Sequence, residues 1–228
     1  MQIPAPKVAS GQLIVLGTSH LAALAQIAET AALAPPFKVH QDALVLAKRA
    51  REDAELALVS PRVAARFAEY ALEEVIRGIA GRAHALDGNM VSGSVFNGVC
   101  PNGLEPEVSP RGVAQKESAL RLQNRLDTQP AAAKLRPEFS DKLKAATADL
   151  AAKLDARKAA GEALGRTIAG DLGARESWVA AYDANAGSIR TLFPRNRRKQ
   201  DLFFDDFRTS ADAADDEGTP PGGGDAPA

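Results

Sequence analysis

The chain has 228 residues, of which 45% are hydrophobic but only 5% aromatic, and its formal net charge is −1. That length fits one large domain or two small ones. The alanine-rich, β-branched-poor composition favours helix over sheet, and the near-zero net charge argues against a dedicated nucleic-acid binder.

Residues 1–11 carry Pro4, Pro6 and Gly11 and read as a loose arm. The short apolar run Gln12–Leu16 reads either as a strand-like edge or as the lead into a helix, one that Thr18 or Ser19 can cap and that continues to about Leu33. Pro35-Pro36 is expected to end it, because proline removes a backbone donor and restricts the residue before it. The stretch from Leu13 to Ala34 is too interrupted by polar residues, and too poorly preceded by basic ones, for a secretory signal. It is also too polar for a membrane span, which needs ~18 or more apolar residues. The single Cys100 has no internal disulfide partner, which suits a reducing, cytoplasmic setting.

A second helix is predicted from about Val39 to Leu58, with Leu44, Ala47, Arg51, Ala54 and Leu58 on one face. Ser60-Pro61 reads as an N-cap followed by proline at the first helical position of a third helix running to about Leu86. Its apolar stripe is Val63, Phe67, Ala71, Val75, Ile79, Ala83 and Leu86, and Asp87-Gly88 stops it. So short a link predicts an antiparallel hairpin over 38–87. Residues 88–111 are rich in glycine and proline and read as a long crossover loop. A shorter helix follows from about Gly112 to Leu126.

No proline interrupts residues 138–193, and one stripe runs the whole way: Phe139, Leu143, Ala146, Leu150, Leu154, Gly161, Leu164, Ile168, Leu172, Val179, Tyr182, Ala186, Ile189 and Phe193. Counting Arg157 and Arg175 as steps, 54 residues fall in 15 steps, or 3.6 per step, the α-helical period. The spacing predicts one very long helix over about 137–193, either a continuous rod or one bent or broken where Gly170 and Gly173 flank Asp171-Leu172. Gly161 and Gly165 would admit a closely packed neighbouring helix, and Trp178 and Tyr182, four apart, are expected to stack as core. The end of the chain is acidic and rich in Pro and Gly, and reads as a disordered tail. The expected fold is therefore all-α: an antiparallel helical bundle in a single domain over 1–208, with the 38–87 hairpin and a 112–193 helical unit as its parts, and a tail at 209–228.

The sequence carries no recognised catalytic set. It has no GxxxxGK[ST], no GxGxxG after a strand and no GxSxG. None of His20, His40 and His84 has a glutamate three residues before it, so the Glu-x-x-His pairs of di-metal bundles are missing. His84, near a helix end, reads as a partner for the helix dipole. Cys100 has no basic neighbour to activate it. The expectation is no catalytic residue, no cofactor and no metal.

Two features at the C-terminus invite a functional reading. Arg195, Arg197, Arg198 and Lys199 follow a helix end and can contact an anion or compensate the dipole. Leu202, Phe203, Phe204 and Phe207 have the i, i+3, i+4 pattern of a short amphipathic segment that docks in a groove, on this chain or on a partner. The function these features suggest is a non-enzymatic structural, scaffold or accessory protein, of bacterial type by composition, acting through a protein partner or self-association. It binds neither nucleic acid nor the membrane interior, and whether it takes a small ligand is open. Two alternatives are an enzyme or ligand-binding protein with a site built by 88–111, and an amphipathic coat on a membrane or granule surface.

Overall fold

A computed structural model describes residues 3–90 and 93–204. Every regular element among them is helical: α1 (Ser10–Leu24), a 3-10 turn (Ala31–Leu33), α2 (Ala34–Ala57), α3 (Val59–Leu86), α4 (Ser94–Val99), α5 (Glu105–Val108), α6 (Val113–Thr128), a second 3-10 turn (Pro130–Lys134), α7 (Arg136–Leu192) and α8 (Arg197–Asp201). The all-helical bundle with one very long C-terminal helix is as the periodicity implies. The tail expected at 209–228 lies outside the described residues. The packing divides the chain into two compact units, one formed by residues up to Arg51 together with those from Thr167 on, the other by Glu52–Arg166.

In the first unit the core is Leu13, Leu16 and Leu24 of α1, Phe37 and Leu44 of α2, Trp178, Tyr182, Ala186 and Ile189 of α7, and Phe203 and Phe204 beyond α8. Trp178 and Tyr182 do stack, with ring centroids 4.8 Å apart. The indole N–H donates to Gln41 Oε1 at 2.7 Å, and Gln41 Nε2 donates to the Ile14 carbonyl at 2.8 Å, so one buried amide ties three helices. That amide crosses α1 at Gly17, where a Cβ would collide with Gln41 Oε1 and stand 3.0 Å from Trp178 Nε1. Helix α1 starts earlier than expected, at Ser10; Thr18 is interior to it and back-bonds to the Ile14 carbonyl instead of capping. Nor is the N-terminal arm loose, since Arg175 Nη1 reaches the carbonyls of Pro6 and Val8.

Pro35-Pro36 begins a helix where an end is expected. Both prolines fall in the first turn of α2, where backbone N–H groups have no intrahelical acceptor and their loss costs little. The hairpin at the end of α2 is also corrected. Only Leu58 separates α2 from α3, and its φ of −75° and ψ of −19° are right-handed helical. Leu58 N–H bonds the Ala54 carbonyl and Arg62 N–H bonds the Leu58 carbonyl, so the helical ladder resumes across the junction without a reversal.

In the second unit α3 buries Ala65, Ala68, Leu72, Ile76, Ile79 and Ala83. From Ala65 to Ala83 these make five steps in 18 residues, or 3.6 per step. The expected stripe stepped by four from Val63, and a strict step of four turns about 40° around the helix each time. Its early members Val63, Phe67 and Ala71 consequently lie outside, and only its later members reach the core. Phe139, Leu143, Leu150 and Leu154 of α7 complete this core together with α4, α5 and α6.

Helix α7 runs unbroken through Gly170 and Gly173. Asp171, between them, is buried; it accepts from Ser10 Oγ at 2.6 Å and has Arg51 and Arg175 at 3.5 and 3.4 Å. These contacts, with Trp178 packed two turns on, offset a glycine penalty of about 1 kcal/mol per residue. The stripe on α7 is buried at its two ends, while Ile168 and Leu172 in its middle are exposed. Gly161 and Gly165 receive no close neighbour: nothing lies within 4 Å of where a Cβ would stand.

Candidate functional site

At the C-terminal junction, α7 ends in a turn in which Arg195 adopts a φ of +63°, a left-handed conformation uncommon outside glycine. Asn196 then caps α8 by accepting from Lys199 N–H at 3.1 Å, and Gln200 Nε2 donates back to the Phe193 carbonyl at 2.8 Å. Lys199 Nζ lies 3.8 Å from the Phe193 ring centroid. Arg195 and Arg197 share a cavity of about 400 Å³ with Arg190, Gln200 and Asp201, and Arg197 has Asp201 at 3.9 Å. Arg198 is exposed and does not line that cavity.

The aromatic segment divides. Phe203 and Phe204 are buried on the chain's own helices, whereas Leu202 is 71% exposed; Phe207 lies outside the described residues. Phe203 stacks on Phe193, and Phe204 packs edge-on to Tyr182 and stacks on His20. His20 is the polar centre of this packing. Its Nδ1 lies 2.8 Å from the Phe203 carbonyl, which can only accept, so Nδ1 carries the proton and Nε2 accepts from Asn185 Nδ2 at 3.1 Å. Burial holds the His20 pKa below its ordinary value, partly opposed by the bond to Phe203. A neutral imidazole therefore fastens the segment after α8 to α1 and α7.

Residues 88–111 contain α4 and α5, and their polar groups hold structure. The Asp87 carboxylate accepts from Val95 N–H at 3.1 Å and Phe96 N–H at 2.8 Å, capping α4. Buried Glu107 pairs with Arg125 and accepts from Ser118 Oγ at 2.7 Å, while Arg125 Nε donates to the Val99 carbonyl at 2.8 Å. Cys100 is fully buried, and burial, with the Glu107 charge nearby, pushes its thiol up to about 11 against the opposing effect of Arg125. Asn97 and Asn102 are exposed. His84 stacks on Phe96 at 3.9 Å between centroids, with Nδ1 3.4 Å from the Met90 carbonyl. Among the described residues, no group of three or more His, Cys, Asp or Glu side chains is placed to hold a metal ion, and no helix is long and apolar enough to cross a membrane.

The feature missed by pattern reading is the outer face of α3. Val59, Val63, Phe67 and Tyr70, spaced by four, four and three, form one row pointing away from the core, with Phe67 71% and Tyr70 61% exposed. The expected stripe turns Val63 and Phe67 to the core, but the face carrying Ala65, Ala68, Leu72 and Ile76 is buried instead.

No protein-family model matches this chain, and no curated protein or solved structure is significantly similar to it.

Proposed function

We propose that this chain is a non-enzymatic helical protein that works through protein–protein contact, as a structural, scaffold or accessory subunit, and that the outer face of α3 makes the contact. The observation that carries this reading is the row Val59, Val63, Phe67 and Tyr70, four large apolar side chains on one face of a helix whose opposite face already fills a core. Single exposed apolar residues are ordinary, but an aligned set that includes two aromatic rings is the composition of an interface centre. Fully burying a phenylalanine is worth about 1.5–3 kcal/mol, enough for one or two such residues to dominate a contact. The same spacing fits a partner that presents an apolar helix face, and a second copy of this chain offers one.

The test compares the intact chain with a Phe67→Ser/Tyr70→Ser double variant. Sedimentation velocity reads self-association, and affinity capture from the native host reads a different partner. Wild type is expected to show a defined dimer or a reproducible stoichiometric partner, and the double variant to lose it while its circular dichroism stays unchanged. If wild type is monomeric and retains no partner, or if the double variant retains both, the reading fails.

A further inference from the structure

Three arginines of the second unit converge on one cleft. Arg62 and Arg66 stand one turn apart on α3, Arg157 stands on α7, and together with Leu58 and Gly161 they line a cavity of about 380 Å³. No carboxylate lines it. Among the described residues none of the three guanidinium groups has an ion pair or hydrogen bond, although the chain as a whole has 29 acidic residues against 28 basic ones. Four other arginines of this unit are matched to carboxylates: Arg77 and Arg111 to Glu73, Arg82 to Glu138, Arg125 to Glu107. The junction cavity of the first unit differs in the same way, since Asp201 stands in its wall beside Arg197.

We propose that this cleft is a binding site for a small phosphate-bearing molecule, a soluble phosphomonoester. Each guanidinium offers a planar fork of donors that matches two oxygens of an oxyanion. Three forks exceed what the two oxygens of one carboxylate accept and suit the three terminal oxygens of a phosphate ester. Three like charges on one cleft repel one another, and a dianion relieves that repulsion. The volume falls within the range of small-molecule sites, about 300–1,000 Å³, and leaves room for the body of the ester over buried Leu58. Gly161 accounts for part of that room: glycine is a poor helix former, yet it stands inside a 57-residue helix with nothing within 4 Å of its Cβ position. Any larger side chain there projects into the space the ligand needs. Pattern reading missed the site because Arg157 is remote in sequence from Arg62 and Arg66.

The test is calorimetric titration of the full chain with glycerol 3-phosphate, inorganic phosphate and, as a neutral control, glycerol. Saturable one-to-one binding of glycerol 3-phosphate is expected, with none of glycerol. Arg157→Gln is expected to weaken it at least tenfold. Gly161→Leu keeps all three charges, fills the cleft with a good helix former and is expected to weaken binding by at least as much. An Arg195→Gln/Arg197→Gln control in the other cavity should bind within twofold of wild type. The proposal is overturned if no phosphate probe saturates, if Arg157→Gln and Gly161→Leu bind like wild type, or if the control variant loses binding equally. Co-sedimentation with vesicles containing phosphatidic acid, without binding of the free ester, would also overturn it in favour of a lipid headgroup.

Discussion

Glycine-to-alanine substitutions at two positions of the first unit should move stability in opposite directions, and the structure says by how much. At Gly173, inside α7, nothing lies within 4 Å of the new methyl. Alanine there removes backbone freedom from the unfolded chain and should stabilise by about 0.5–1 kcal/mol. At Gly17, inside α1, the same helix-propensity gain of up to about 1 kcal/mol applies, but the methyl collides with Gln41 Oε1. Moving Gln41 strands the buried Trp178 N–H, which costs about 1–3 kcal/mol, and forcing a methyl into a filled core costs about another 1–3 kcal/mol. The net expectation for Gly17→Ala is a loss of about 3 kcal/mol once the propensity gain is subtracted. The chain has one tryptophan, Trp178, buried at the contact in question. Urea unfolding followed by its fluorescence therefore reads this unit directly, and a fall in midpoint at unchanged slope is the expected result for Gly17→Ala. A neutral or stabilising outcome at Gly17 would refute the claim that the Gln41 bridge requires a bare backbone there.

Three further outcomes follow from the same contacts. Because burial depresses the His20 pKa, the unfolded chain binds the proton more readily; stability should be complete above the ordinary histidine value of 6.5 and fall as the pH drops below it. Urea midpoints at a series of pH values should show that fall in wild type and a flatter profile in His20→Gln, and identical profiles would remove His20 from the account. Phe204→Ala should cost about 3–5 kcal/mol as a buried aromatic, whereas Leu202→Ala, at an exposed position, should stay within about 0.5 kcal/mol; the reverse order in thermal melts would mean that the chain end docks differently. With its thiol pushed up to about 11, Cys100 should resist a disulfide-exchange reagent at pH 8 in the native chain and react fully in urea, so rapid native reaction would contradict its burial.

Much of the architecture was legible because helical periodicity is a local property. The stripe from Phe139 to Phe193 announces α7, and the stop at Asp87-Gly88 marks the end of α3 to the residue. Proline was read less well. Its effect depends on whether it meets the first turn of a helix or the interior, and Pro35-Pro36 carries no label saying which. The α2–α3 junction was misread for a related reason: a short link reverses a chain only if some residue leaves helical angles, and Leu58 does not. The candidate sites were less legible still. The basic run at 195–199 is plain in sequence, yet Arg197 faces Asp201 and Lys199 covers Phe193, while the cleft arginines come from two helices, Arg62 and Arg66 from α3 and Arg157 from α7.

By itself the sequence determined that this protein is helical, that its longest helix spans the region after Pro137, and that the familiar phosphate-loop, nucleophile-elbow and di-metal motifs are missing. Those conclusions follow from spacing, propensity and residue type, which act over a few turns of chain. Only the tertiary structure decided which face of α3 is core, that Asp171 meets Ser10, Arg51 and Arg175 between two glycines of α7, that Phe203 and Phe204 turn inward, and that Arg62, Arg66 and Arg157 share one cleft. Each of these depends on residues distant along the chain becoming neighbours. Burial, electrostatic pairing and hydrogen bonding are set by those neighbours and leave no periodic trace in the sequence.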